Sequence, residues 1–279
     1  MSIDKKFSLD YHKDVVYLFL ERNNLLDIKP DLTNLTKILY SFSKIPYENI
    51  SKILKLNEGK GELDRLRLPE ELYINYLENN LGGTCYSLTY FLWSILYHTG
   101  FESFPLIMDM KWAEAAHCGL AINIENKYYL TDPGYLISNP IPIVQEKTVH
   151  FIDYNYTGVE LQYNFESNQY FLYTFNKKER KFRYSFIFNP VSLEDFIFYW
   201  KNSFYQKSMR HICLTKVDLK NKGRIYIRND FVRFYSEDKK ENIKTNLENA
   251  AMKFFNINPE IIKYAKEILN GTSRNNSKS

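Results

Sequence analysis

Three observations predict an α+β fold of three successive units. Apolar residues recur at helical spacing through roughly the first hundred positions. Short Ile-, Tyr-, Phe- and Leu-rich segments begin at Phe104, and helical spacing returns after residue 190 around further strand-like runs. The units are therefore 1–100, 101–190 and 191–270, followed by a polar tail, 271–279, expected to be disordered because it has nothing to bury. A chain of 279 residues can bury a sizeable core. With 44% apolar and 25% charged residues it has the composition of a soluble globular protein, which favours neither a fibrous nor a generally disordered architecture.

In the first unit, Val15, Val16, Leu18, Phe19 and Leu20 crowd one segment, and Leu32, Leu35, Ile38, Leu39 and Phe42 mark a helical face. After the charged loop NEGKGELDR, the segment LPEELYINYLENNLGG predicts a helix with Pro69 in its first turn and Gly82 as its C-terminal cap. The amphipathic stretch CYSLTYFLWSILYHTG gives another. The second unit reads as antiparallel strands: FPLIMDM, CGLAINIE, KYYLTD, GVELQYNFE, QYFLYTFN and RKFRYSFIF. In the third, SLEDFIFYWKNSFY predicts a helix capped by Ser192 with Asp195. Two strands flank the NKG turn at Asn221–Gly223, and LENAAMKFF and PEIIKYAKEIL close the chain as helices.

The net charge of +4 comes from 37 basic and 33 acidic residues interspersed along the chain, which gives no reason to expect nucleic acid as a partner. The three cysteines, Cys85, Cys118 and Cys213, form no CxxC pair. Their odd number suits a reducing compartment. The N-terminus lacks the apolar core of a signal peptide, and no apolar run is long enough to span a bilayer, so the expected location is cytoplasmic. His12, His98, His150 and His211 have no Cys, His or carboxylate partners at ligand spacing, so no metal is expected, and no phosphate-binding or dinucleotide glycine fingerprint is present.

Chemistry concentrates at three residues. Cys85 follows Gly82 and Gly83 and opens a helix, where the exposed amides and the positive dipole end stabilise a thiolate. The glycines would let a substrate carbonyl approach the backbone, with helix-start amides available to an oxyanion. His117 lies at the entry to a strand among small neighbours that leave its ring accessible. Asp132 closes the next strand, and a hairpin turning near Asn126 would bring it beside His117. Each residue alone has an ordinary packing explanation. Together they have the order nucleophile, base and orienter of a cysteine triad. Cys118 is expected to face away from His117 as a buried structural thiol.

At these residues the sequence resembles the arylamine N-acetyltransferase family, which carries Gly-Gly-x-Cys, a histidine opening a strand and an aspartate soon followed by Gly. KIPYENI, Lys44–Ile50, is similar to the family's IPFEN-type motif, and NPIPI, Asn139–Ile143, to its proline-bearing segment after the aspartate. The likeness is strong over residues 8–145 and beyond that follows element order only. It implies a helical N-terminal domain, a β-barrel-like middle and an α/β lid, with the triad arrangement of a cysteine protease. It also implies ping-pong transfer of an acetyl group from acetyl-CoA through a Cys85 thioester to an arylamine, hydrazine or similar small amine, with no metal. The catalytic residues carried over are Cys85, His117 and Asp132, with Tyr47, Gly134 and Tyr135 as substrate-binding candidates. A monomer or weak dimer is expected, with acyl-CoA and a small amine as its only partners.

Two departures alter these expectations. Leu81 stands where the family has Arg, and Tyr86 and Ser87 replace Phe-Glu, which would leave Glu48 without an arginine partner. Pro133, Gly134, Tyr135 and Leu136 replace Val-Gly-Phe-Gly, giving a stiffer, bulkier loop and a changed acceptor pocket. The residues binding CoA are unknown from sequence, and Lys207, Arg210 and Lys216 are candidates by charge alone. An amide synthase, a thiol hydrolase or transglutaminase-like enzyme with the same triad, and an inactive binding homologue stay open.

Overall fold

The computed structural model describes residues 4–58, 61–151, 158–236 and 240–276. The N-terminal helices are α1 (Lys13–Arg22), α2 (Leu32–Phe42), α3 (Ile50–Asn57), α4 (Pro69–Asn79) and α5 (Cys85–His98). Asp31 caps α2 by accepting from the Asn34 amide. Pro69 is at the first position of α4, as its fixed φ favours. The C-cap of α4 is Asn80, in the left-handed conformation at φ 57°, not Gly82. Asparagine tolerates that conformation, and it ends the helix before the glycines are reached. Helix α5 is apolar nearly all round because it is enclosed: Phe91, Leu92 and Ile95 meet Phe19, Leu35, Ile38, Phe42 and Leu72 from α1, α2 and α4.

Among the described residues the central sheet has eight strands: β2 (Glu102–Met110), β3 (Ala113–Ile124), β4 (Lys127–Thr131), β5 (Ile141–Pro142), β6 (Thr148–Phe151), β7 (Gly158–Asn164), β8 (Gln169–Phe175) and β9 (Arg180–Phe186). All pair antiparallel in the order β5-β4-β3-β2-β9-β8-β7-β6. The sheet curls into a barrel-like form around Leu106, Met108, Leu130, Ile141, Leu161, Leu172 and Tyr184. The β3–β4 turn is at Glu125 and Asn126, both at positive φ, so the expected hairpin forms where expected. Helix α5 lies against β2 and β3.

Helix α6 (Leu193–Asn202) is capped by Ser192, whose hydroxyl accepts from the Asp195 amide, and it packs Phe196 and Trp200 against Tyr86 and Tyr90 of α5. The C-terminal sheet contains β10 (Cys213–Asp218), β11 (Gly223–Arg228), β12 (Phe231–Tyr235) and β13 (Lys240–Lys244). Its fifth strand comes from the N-terminal unit: β1 (Tyr47–Glu48) pairs Tyr47 with Thr215 and Glu48 with Leu214. Helices α7 (Leu247–Phe255) and α8 (Pro259–Asn276) cover this sheet, and α8 packs on α3. Residues 271–276 thus continue a helix where a polar tail was expected, and 277–279 lie outside the described residues. Among the described residues no helix is long and apolar enough to cross a membrane.

Candidate active site

Cys85 is the first residue of α5, behind the N-cap Thr84, whose side chain makes no capping hydrogen bond. The first-turn amides are therefore not satisfied by a side-chain cap. The preceding Gly82-Gly83 turn is held by β1: the Glu48 amide donates to Gly83 O at 3.0 Å and the Gly83 amide to Pro46 O at 3.4 Å. A Cβ on Gly82 would lie 1.7 Å from Pro46 O, and one on Gly83 2.3 Å from Ser87 Oγ. The close approach that both glycines permit is therefore to the protein's own backbone and side chains, not to a substrate.

The residues of IPYEN have separate tasks. Tyr47 lines the cavity above Cys85. Glu48 is fully buried, accepts from the Ser51 amide at 2.9 Å, and is 3.8 Å from Arg67. Arg67 Nη1 also donates to Gly82 O at 2.5 Å and to Ser51 Oγ at 2.6 Å, so it ties Glu48 to the loop that carries the cysteine. This corrects the expectation from Leu81. Glu48 does have an arginine partner, supplied from the segment before α4 instead of from the residue before the glycines. Asn49 donates to Ser208 O and His211 O and accepts from the Cys213 amide, joining the C-terminal unit to the same loop.

His117 is aimed by an irregularity in β3. The β2–β3 register steps from Met108–His117 to Met110–Ala113, and Ala115, between them, is at φ 48°. That conformation is unfavourable for alanine and is held on every side: the Ala115 amide donates to Asp109 Oδ1 at 2.8 Å, and its carbonyl accepts from Tyr86 Oη at 2.7 Å and Gln206 Nε2 at 3.2 Å. Tyr86, a departure from the family pattern, thus anchors the segment that presents the histidine. The ring itself is only 4% exposed, enclosed by Tyr135 edge-on at 5.1 Å and Tyr184 at 5.0 Å, so the access expected from its small neighbours is limited to the cavity side.

Asp132 follows β4 directly and is fully buried. Its Oδ2 is 2.8 Å from His117 Nε2, and its Oδ1 accepts from the Tyr135 amide at 3.0 Å. With Nε2 engaged, Nδ1 is the ring nitrogen left for Cys85. Gly134 packs into the middle of the group: a Cβ there would lie 2.7 Å from His117 Cε1, 3.0 Å from Cys85 Cβ and 3.3 Å from Asp132 Oδ1. The three sequence candidates therefore meet around one glycine.

Burial alone would lower the His117 pKa, but the Asp132 charge and hydrogen bond, with the Cys85 sulfur adding to them, raise it to about 10. The Cys85 thiol is held well below its ordinary range, first by a hydrogen bond from the Cys118 thiol and then, against the cost of burial, by His117 and Lys52. Cys118 is buried as expected, its sulfur 3.5 Å from Thr89 Oγ1. Its contact with Cys85 was not foreseen, because it depends on which residue of α5 lies against β3. Burial raises the Lys52 ammonium's difficulty in staying charged and lowers its pKa to about 8.

A cavity of about 520 Å³ opens on Cys85 and His117 and is lined by Tyr47, Gly134 and Tyr135, which brings the substrate-binding candidates to one place. Its cations are Lys52, Lys181, Arg183, Arg224 and Arg233, and no Asp or Glu is among the described residues that line it. Arg183 lies over the Tyr135 ring and Arg224 donates to Tyr135 O. None of Lys207, Arg210 and Lys216 lines this cavity. The cations that do are dispersed over α3, β9, β11 and β12, so no charge run in the sequence marks them. Among the described residues no group of three His, Cys, Asp or Glu could hold a metal ion.

Comparison with known proteins bears on the family and the fold. A family model described as N-acetyltransferase matches residues 31–261. No curated protein matches the chain in sequence. Among solved structures, the arylamine N-acetyltransferase of Mycobacterium abscessus superposes with a TM-score of 0.79 at 12% identity, covering 97% of this chain and 99% of that one. That of Mycobacterium tuberculosis gives 0.74 at 15%, covering 91% and 99%. The Bacillus cereus arylamine N-acetyltransferase whose structure reveals a unique Cys-His-Glu catalytic triad gives 0.68 at 19%, covering 88% and 99%. With the family model matched over most of its length, the chain belongs to the N-acetyltransferase family, the arylamine N-acetyltransferases to which its motifs pointed.

Proposed function

We propose that the chain is an acyl-CoA-dependent N-acyltransferase, with acetyl-CoA as donor and an arylamine, hydrazine or similar small amine as acceptor, and that Cys85 carries the acyl group between them. The observation that supports this best is the contact of Cys85, His117 and Asp132 around Gly134 on the floor of a cavity with cationic walls. Those walls suit a donor bearing phosphates.

In the first half-reaction the Cys85 thiolate attacks the thioester carbonyl carbon, forming a new C–S bond. The oxyanion that develops is placed at the uncapped amides of α5. As the intermediate collapses, the C–S bond to CoA breaks and His117 gives its proton to the departing thiolate. In the second half-reaction an amine attacks the Cys85 thioester, His117 accepts a proton from its nitrogen, and the Cys85 thiolate leaves. Asp132 keeps the imidazole in one orientation and stabilises its charged form throughout. Burial of all three residues protects the thioester from water.

The test is a labelled acyl-enzyme followed in buffer with and without an aromatic amine. Decay that needs the amine, with the label recovered on its nitrogen, supports the transferase. Equal decay in buffer alone identifies a hydrolase and contradicts the proposal.

A further inference from the structure

Lys52 carries no proton and no acyl group in these steps, yet it occupies the wall beside the reacting sulfur. It is 6% exposed. Its Nζ donates to Ser203 Oγ at 2.6 Å and lies 4.6 Å from the centre of the Phe204 ring. Ser203 Oγ in turn donates to Trp200 O, so it meets the ammonium as an acceptor. One neutral oxygen and one ring face are small compensation for burying a cation with three donors. Glu48, the acid nearest in sequence, is engaged by Ser51 and Arg67. Lys52, Ser203 and Cys85 line the same cavity, whose described walls hold no Asp or Glu.

A buried charge ordinarily has a partner, and the one anion this wall supplies is the Cys85 thiolate, whose charge is lost once the sulfur is acylated. The phosphates of CoA do not fit the role, because the pantetheine arm separates them from the thioester. What can stand between Lys52 and the Cys85 sulfur is the acyl group or the acceptor itself. We propose that Lys52 is a specificity-determining residue that binds a carboxylate carried by one of the two substrates, either on the ring of the acceptor amine or at the far end of a dicarboxylic acyl group on CoA. The assignment rests on the thioester reading of Cys85, since that reading puts both substrates beside Lys52.

The experiment compares wild type, Lys52→Met and Lys52→Arg on two isosteric pairs. One pair is 4-aminobenzoate and 4-aminobenzamide with acetyl-CoA, and the other is succinyl-CoA and butyryl-CoA with the amide as acceptor. In one of the pairs the ratio of kcat/KM, carboxylate over neutral, should fall about ten- to hundredfold in Lys52→Met and be largely kept in Lys52→Arg. The pair in which it falls names the substrate that carries the carboxylate. Ratios unchanged within about twofold in both pairs overturn the proposal and leave Lys52 as a charge that supports the thiolate. Calorimetric titration of the same compounds onto Cys85→Ala, with and without Lys52→Met, reads the preference without turnover. A chain that transfers no acyl group but still loses carboxylate preference on Lys52→Met would sink the thioester reading and keep the Lys52 assignment. Equal binding of both members of each pair would sink the Lys52 assignment whatever the turnover.

Discussion

Cys85 and His117 set each other's protonation. The imidazole is raised to about 10 by Asp132 and the sulfur, while the thiol is pushed below its ordinary range, so thiolate and imidazolium coexist through neutral pH. The sign is testable by alkylation. With the thiol pKa depressed, the iodoacetamide rate at Cys85 should stay flat through the range in which a free thiol climbs towards its pKa of about 8.5. Replacing Asp132 by Asn removes the carboxylate that raises the imidazole. The alkylation profile should then shift towards that of an ordinary thiol, and steady-state acyl transfer should fall by on the order of 10⁴-fold. Gly134→Ala tests placement without changing charge. Its Cβ cannot be accommodated 2.7 Å from a ring already held by Asp132 and Tyr184, so kcat/KM should fall on the order of 10²-fold, with a loss of about 1–3 kcal/mol of stability from the overlap. At this scale the sequence was informative, because a cysteine after two glycines and a histidine and aspartate on the two arms of one hairpin are local patterns, although β3 begins at Ala113, so His117 lies inside the strand and does not open it. The Cys118 contact was not local and was missed.

Elements turn those residues into a site by three devices: the β1 strand, the β3 irregularity and Arg67. Most strands of the central sheet were legible because each is a run of apolar and aromatic residues ended by polar turns. β1 and β5 were not, since two residues give no period, and β13 was too charged to stand out. The Asn80 cap was missed because a glycine nearby seemed the better left-handed residue. Arg67 was missed because its partner Glu48 is distant in sequence and the family pattern placed the arginine elsewhere. Arg67→Met leaves Glu48 buried without its counter-charge, and unfolding free energy should drop by about 3–5 kcal/mol. A double variant with Glu48→Gln should regain part of that loss in a thermal or denaturant unfolding series. Equal stability of wild type and Arg67→Met would remove Arg67 from the account.

The cavity is a property of the whole molecule: α5 supplies the sulfur, the barrel-like sheet supplies His117, Asp132 and Arg183, and the C-terminal sheet supplies Arg224 and Arg233. Element order was readable from alternating texture, but how the C-terminal sheet captures β1 depends on long-range pairing that no window of sequence contains. Asn49 is one of the points where this assembly is tied together. Asn49→Ala should raise amide hydrogen exchange along Cys213–Arg228 more than along β3, whereas uniform exchange in both sheets would show that the tie is not localised. The central claim, that Cys85 carries an acyl group taken from acetyl-CoA, is tested most directly by the intact mass of the purified protein after mixing with acetyl-CoA in the absence of an acceptor. An acetyl adduct on the wild type, absent from Cys85→Ala, is the predicted result. An adduct of equal size on both proteins, or none on the wild type with acetyl-CoA or longer acyl-CoAs, would contradict it.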